Sequence, residues 1–169
     1  MVQTRDDSLH IEEDRAHSRL EWRIEHVGWA VMALLLVAGL LGLLGYGPLS
    51  QVQVGDPGTL SLTYDRLQRA SAPSEYHFTV APSLARDGRL RLRFDDALLE
   101  EVEIQSIIPE PDQVRSGPGY TLYVFAMDDA RGPPAHIQFQ FQQATFGHVR
   151  GNVTTEGAAP LSIDQIVFP

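Results

Sequence analysis

The chain contains no cysteine and no lysine. The first absence removes disulfides, thiol nucleophiles and thiolate metal sites, so any folded domain is held by packing alone. The second leaves arginine to supply all 13 basic groups against 22 acids, for a net charge of -9. That balance excludes a general attraction to nucleic acid and leaves only local arginine clusters as anion contacts. We read the exclusive use of arginine as genomic composition bias of the kind a GC-rich bacterium shows.

Catalytic signatures are missing as well. There is no GxSxG, SxxK, P-loop, dinucleotide-binding glycine pattern or HExxH, and no close Ser, His and Asp spacing. The acids Asp95, Asp96, Glu100 and Glu101, and the pair Asp128 and Asp129, lack the alternating ligands and turn glycine of an EF-hand. His77, His136 and His148 fall on separate expected strands, and Met1, Met32 and Met127 form no soft-metal set. No catalytic, cofactor-binding or metal-ligating residue is therefore assigned, and no cofactor is expected.

One long stretch lacks charge altogether. From Val27 to Gly55 there is no Asp, Glu, Arg or His, and residues 27–46, VGWAVMALLLVAGLLGLLGY, are almost wholly apolar. About twenty residues at 1.5 Å each span about 30 Å, the thickness of a hydrocarbon core, and a soluble helix is rarely apolar all round for so long. A cleaved signal peptide is the competing reading. The preceding segment is long and net acidic, the run exceeds an ordinary signal core, and a cut after Gly47 would leave Pro48 at the new end, so an uncleaved anchor is expected.

Arg15, Arg19 and Arg23 precede this run, and no basic residue follows it until Arg66. Positive-inside logic then puts the N-terminus in the cytoplasm. The arginines repeat every four residues, so a helix running back from the membrane aligns them on one face, with Ala16, Leu20 and Ile24 as an apolar stripe and Ser8 as the N-cap. Together with Trp22, Trp29 and Tyr46 they are the candidate membrane-surface contacts. Ala38 and Gly42 form a small-xxx-small pair, a candidate helix–helix contact through which copies of the chain could pair.

Beyond Pro48, Gly55, Pro57 and Gly58 the apolar period changes to two, the signature of strands. Leu60, Leu62 and Tyr64 alternate, as do Tyr76, Phe78 and Val80, then Leu90, Leu92 and Phe94. Val102 and Ile104 lead toward Ile107 and Ile108. Ile137, Phe139 and Phe141 alternate most cleanly, with Gln138, Gln140 and Gln142 on the opposite side. Tyr120 to Met127 is apolar on both alternations, as in a central strand, while Val149 with Val153 and Leu161 to Phe168 complete the set. About seven or eight short strands in this length indicate a small antiparallel β-sandwich, of which the immunoglobulin-like arrangement is one form. The expected division is a cytoplasmic tail and juxtamembrane helix at 1–26, a transmembrane helix at 27–46, a linker at 47–58 and an extracytoplasmic β domain at 59–169.

Arg89, Arg91 and Arg93 share one strand face and are a candidate interaction surface, as are Gln138, Gln140 and Gln142. The plainer alternative for the arginines is a set of solvated ion pairs with Glu101 and Glu103, should those two segments pair.

The block GWAVMALLLVAGLLGLLGYGPLS, the segments IIPEPD and HIQFQFQ, and the ending QIVFP resemble uncharacterised bacterial single-pass inner-membrane proteins with a small extracytoplasmic β domain. The resemblance implies a membrane anchor and carries over no functional residue. The expected function is a non-enzymatic accessory or protein-interaction module of the bacterial inner membrane, with its β domain periplasmic. Its expected partners are the lipid bilayer and another envelope or membrane protein, with no nucleic acid. A ligand-binding sensor or enzyme, with a pocket around Tyr120, Tyr123 and His136 or His148, is the competing reading.

Overall fold

The two periodicities build two units, which divide between Gly39 and Leu40. The computed structural model describes residues 15–40, 50–127 and 132–169, with the side chains of 15–21 outside that description. Ser8, Gly42 and Tyr46, and the acids Asp128 and Asp129, fall outside the described residues.

The described part of the first unit is the helix α1 (Arg15–Leu40), whose last residue, Leu40, falls at the division. It runs without a break through the arginine-bearing segment into the apolar run, as the four-residue spacing of Arg15, Arg19 and Arg23 requires. None of the residues of its most apolar part, Trp22–Leu40, is buried, and Leu34 is 69% exposed. Even at Gly28 an added Cβ would meet nothing within 4 Å. At 1.5 Å per residue those 19 residues extend about 28 Å, so this helix is long and apolar enough to span a membrane.

The second unit is mainly β. One sheet has five strands in the order β1 (Gln51–Gly55), β2 (Leu60–Asp65), β4 (Pro73–Val80), β9 (Ala135–Gln143) and β6 (Val102–Ile108). The other has six, in the order β3 (Leu67–Arg69), β11 (Leu161–Phe168), β10 (Gly147–Thr154), β5 (Arg89–Asp95), β8 (Tyr120–Ala126) and β7 (Gln113–Gly117). Neighbours are antiparallel except β3 and β11. Asp87 and Gly88, at φ +54° and +69°, make the tight turn into β5, and the flanking Arg86 and Arg89 exchange both backbone hydrogen bonds.

Each alternating segment turns its apolar side inward, and the two inner faces close on one core. Phe139 sits at its centre, with ring centroids of Phe94, Tyr123, Phe78 and Phe125 at 4.9, 5.3, 5.7 and 6.3 Å. Phe78 and Phe139 come from the five-stranded sheet and the other three rings from the six-stranded one, so the aromatic cluster is what joins the layers. The expected sandwich is present, with eleven strands among the described residues rather than seven or eight. The three additional ones, β1, β3 and β7, are edge strands of three to five residues; β1 alternates but only half-buries Val52 and Val54, and β3 and β7 are too short or too exposed to carry an apolar period. β1 also lies within the stretch expected to be a linker: Ser50, fully buried, donates its hydroxyl to the Leu67 carbonyl at 3.0 Å and accepts from the Leu67 N–H at 3.1 Å.

Candidate functional site

β5 is an interior strand whose Leu90, Leu92 and Phe94 enter the core, so the period of two sends Arg89, Arg91 and Arg93 to the outer face. The neighbouring β8 sets Ala126, Val124 and Leu122 beside them, and β7 then sets Gln113 beside Val124 and Arg115 beside Leu122. Arg93, Leu122 and Arg115 thus form one row across three strands. The Arg93 guanidinium lies 3.9 Å from the centre of the Tyr120 ring, a cation–π contact, and Arg115 donates to Gln113 Oε1 at 2.6 Å. A shallow hollow of about 310 Å³ opens between Arg91, Arg93, Tyr120, Leu122, Thr154 and Glu156.

The ion pairs expected for these arginines do not form. Glu103 lies on β6, in the other sheet, opposite Gln142, and the Glu101 carboxylate accepts from the Thr145 hydroxyl. The short helix α2 (Asp96–Leu99) is the reason: it carries the chain out of the six-stranded sheet and seats Leu98, fully buried, in the core, so two segments adjacent in sequence enter different layers. Among the described residues, no carboxylate lies at ion-pairing distance from Arg89, Arg91, Arg93 or Arg115.

Gln138, Gln140 and Gln142 occupy the outer face of β9, half-buried between β4 and β6. Gln140 accepts from the Ser106 hydroxyl at 2.6 Å and donates to Glu75 Oε1 at 3.2 Å, while Glu75 Oε2 meets His77 Nε2 at 2.9 Å. A hollow of about 400 Å³ lies beside them, lined in part by Thr63, Asp65, Glu75 and His77. Partial burial there raises the Asp65 carboxyl, against a smaller opposing pull from His77. The arginine and glutamine ladders therefore lie on opposite outer surfaces of the sandwich and form no common face.

The residues expected to line an inter-sheet pocket do not converge. Tyr123 is buried against Phe94 and Phe139, Tyr120 is on the outer face of the six-stranded sheet, and His136 is on that of the five-stranded one, 3.4 Å from the Thr79 hydroxyl. His148 pairs instead with Asp164, which Arg150 also reaches at 3.2 Å, and these two partners, His148 first, hold the Asp164 carboxyl below its usual range. Two of the acids near α2 are engaged locally. Asp95 accepts from the Asn152 backbone and side chain at 3.1 and 3.0 Å, and Asp96 from Thr121 at 3.2 Å. Among the described residues, no group of three or more His, Asp or Glu is arranged to hold a metal.

One polar cluster has no counterpart in the sequence expectations. Gln68, Gln143 and Gln165 are buried between the sheets, where Gln143 donates to Gln68 Oε1 at 2.9 Å and the Tyr76 hydroxyl donates to Gln165 Oε1 at 2.6 Å. Burial pushes the Tyr76 phenol far above its ordinary range, with Tyr64 adding to the shift. Gln68 Nε2 and Gln143 Oε1 have no partner among the described residues. Phase was the available signal for Gln143, which shares its parity on β9 with Ile137, Phe139 and Phe141.

On α1, Arg15, Arg19 and Arg23 share a helix face by spacing; Trp22, Arg23 and Trp29 are exposed, and Trp22 stacks on His26 at 3.9 Å between ring centroids. Ala38 is half-exposed, while Gly42 and Tyr46 lie outside the described residues. An apolar helix able to cross a membrane, followed by a β-sandwich with polar ladders on both outer faces, is the class these features define. No protein-family model matches the chain, and no curated protein matches it.

Proposed function

We propose that the chain is a membrane-anchored, non-enzymatic interaction module of a bacterial cell envelope. The observation that carries this reading is the Trp22–Leu40 stretch, 19 residues of high mean hydropathy of which none is buried among the described residues, in a chain whose sandwich forms its own compact unit. An apolar helix of that length and exposure is costly in water and favourable in a bilayer. The arginines before it favour a cytoplasmic N-terminus and an inner-membrane location with the sandwich outside. The aromatic filling between the sheets supports surface recognition over chemistry in a cleft, because polar groups on the outer faces are open to a protein partner.

Membranes carrying the full chain are washed at alkaline pH, and a reporter active only in the cytoplasm is fused after Pro169. The reading expects the chain to stay with the membrane, its first residues intact, and the reporter to be silent. A chain released by the wash, or a mature N-terminus near Pro48, would instead make the helix a signal sequence, which its position near the N-terminus also favours.

A further inference from the structure

Strand arginines and strand carboxylates are sorted between the two layers. The six-stranded sheet carries Arg69, Arg89, Arg91, Arg93, Arg115 and Arg150, and its two strand acids, Asp95 and Asp164, are both hydrogen-bonded within that sheet. The strands of the five-stranded sheet contain no arginine and carry Asp65, Glu75 and Glu103 with the glutamine ladder. One outer face thus offers guanidinium donors with no carboxylate partner among the described residues. The other offers carboxylate and amide oxygens.

We propose that the arginine face of one copy docks on the glutamine and carboxylate face of a second copy, so that sandwiches associate side by side through unlike faces. The spacings agree. Arg89, Arg91 and Arg93 repeat every second residue of β5, and Gln138, Gln140 and Gln142 every second residue of β9, so each ladder rises about 6.7 Å per rung. Both charged pairs stand two strands apart, about 10 Å across the sheet: Arg93 and Arg115 lie in one row, while Glu75, beside Gln140, and Glu103, beside Gln142, are offset by one rung along the strands. Guanidinium forks suit carboxylate and amide oxygens, and Leu122 and Tyr120 supply apolar area between the charges.

A second copy is favoured over an unrelated acidic partner because the complementary surface belongs to this same chain. The inference rests on the anchored reading in one respect: copies held by the same helix share one orientation, which lets a contact between unlike faces repeat in a row or close into a ring. Five strands at about 4.8 Å and about 20 Å long present roughly 500 Å² per face, at the weak end of specific interfaces, so confinement in a membrane is needed to populate the contact.

The absence of cysteine makes the test clean. Differently tagged full-length copies carrying Arg91→Cys and Gln140→Cys are co-expressed and treated in membranes with a short bis-maleimide. Glu110→Cys, in the exposed turn between β6 and β7, replaces either partner as control. The mixed pair should cross-link at least about five-fold more than Arg91→Cys with itself or with the control. Adding Arg93→Glu should remove that excess, and Glu103→Arg on the opposite copy should restore it, as a charge-swap cycle requires. Circular dichroism of each purified variant checks the fold, and Arg89→Cys with Gln138→Cys is a second pair should the first be perturbed. Equal cross-linking of like and unlike pairs, or none above the control, overturns the proposal. So does binding of poly-glutamate by a chain that stays monomeric in the membrane, which would assign the ladder to another acidic protein. Failure of the anchor is read separately by the alkaline wash, and a released chain is cross-linked in solution at high concentration.

Discussion

Phe139 and Gln140 are chain neighbours with opposite fates. Phe139 is 1% exposed and surrounded by four rings from both sheets, so Phe139→Ala should remove about 3 to 5 kcal/mol through lost transfer energy and a cavity. Gln140 ties Ser106 to Glu75 on the outer face, and Gln140→Ala should cost about 0.5 to 1.5 kcal/mol, the range of a surface-side hydrogen-bond loss. Denaturant midpoints of the two variants measure the difference, and equal losses would mean the register of β9 is misassigned. Tyr76 adds a dependence on pH. Its folded phenol titrates above the unfolded one, so its contribution is whole below about pH 10 and declines as the pH rises further, where the unfolded chain releases a proton that the folded chain keeps. Melting midpoints followed from about pH 9 to 11 should fall less steeply in Tyr76→Phe than in the parent. Tyr123, which burial shifts in the same direction, contributes to the slope that remains.

Among the elements, β10 and α2 depend on a single missing side chain. A Cβ at Gly151 would stand 2.6 Å from the Leu98 Cβ, and Leu98 is fully buried. Gly151→Ala must push α2 away from the sheet and should lower stability by about 1 to 3 kcal/mol. Gly58→Ala, whose added Cβ would meet only the Asp56 side chain at 3.5 Å, should stay within about 0.5 kcal/mol. A thermal melt in which both glycine variants behave alike would remove the close approach as the reason. β1 makes a second case. A fragment starting at Gly55 loses β1 and both Ser50 bonds to Leu67, exposing the edge of β2, whereas one starting at 49 keeps them. The shorter fragment should melt at least several degrees lower, and identical transitions would show that β1 is dispensable.

For the molecule as a whole, the described residues of the apolar helix stay unburied while the sandwich packs most of its aromatic rings inward, Phe146 being exposed. The sandwich also separates its strand charges by layer, and ionic strength becomes a probe of what its outer faces do. Association through unlike faces should weaken as salt rises, because exposed arginine–carboxylate attraction is screened beyond about 8 Å at 0.15 M. Association through α1 and Ala38 is packing in lipid and should be indifferent to salt. Cross-linking in membranes across a salt series separates the two, and a yield unchanged by salt would point to the helix.

The sequence by itself determined the apolar helix, its arginine flank and most inward-facing residues, because period and hydropathy are local properties of the chain. Phe139 and Phe141 in the core and Gln138, Gln140 and Gln142 outside it follow from alternation alone. Only the tertiary structure decided which strands are neighbours. Glu101 and Glu103 stand close to the arginines in sequence, yet α2 sends them into the other layer, and this turns an expected set of ion pairs into an open arginine ladder. The buried glutamines escaped for the same reason: alternation marks a side chain as inward, but whether a polar one there has partners depends on three strands, β3, β9 and β11, that meet only when the sheets close.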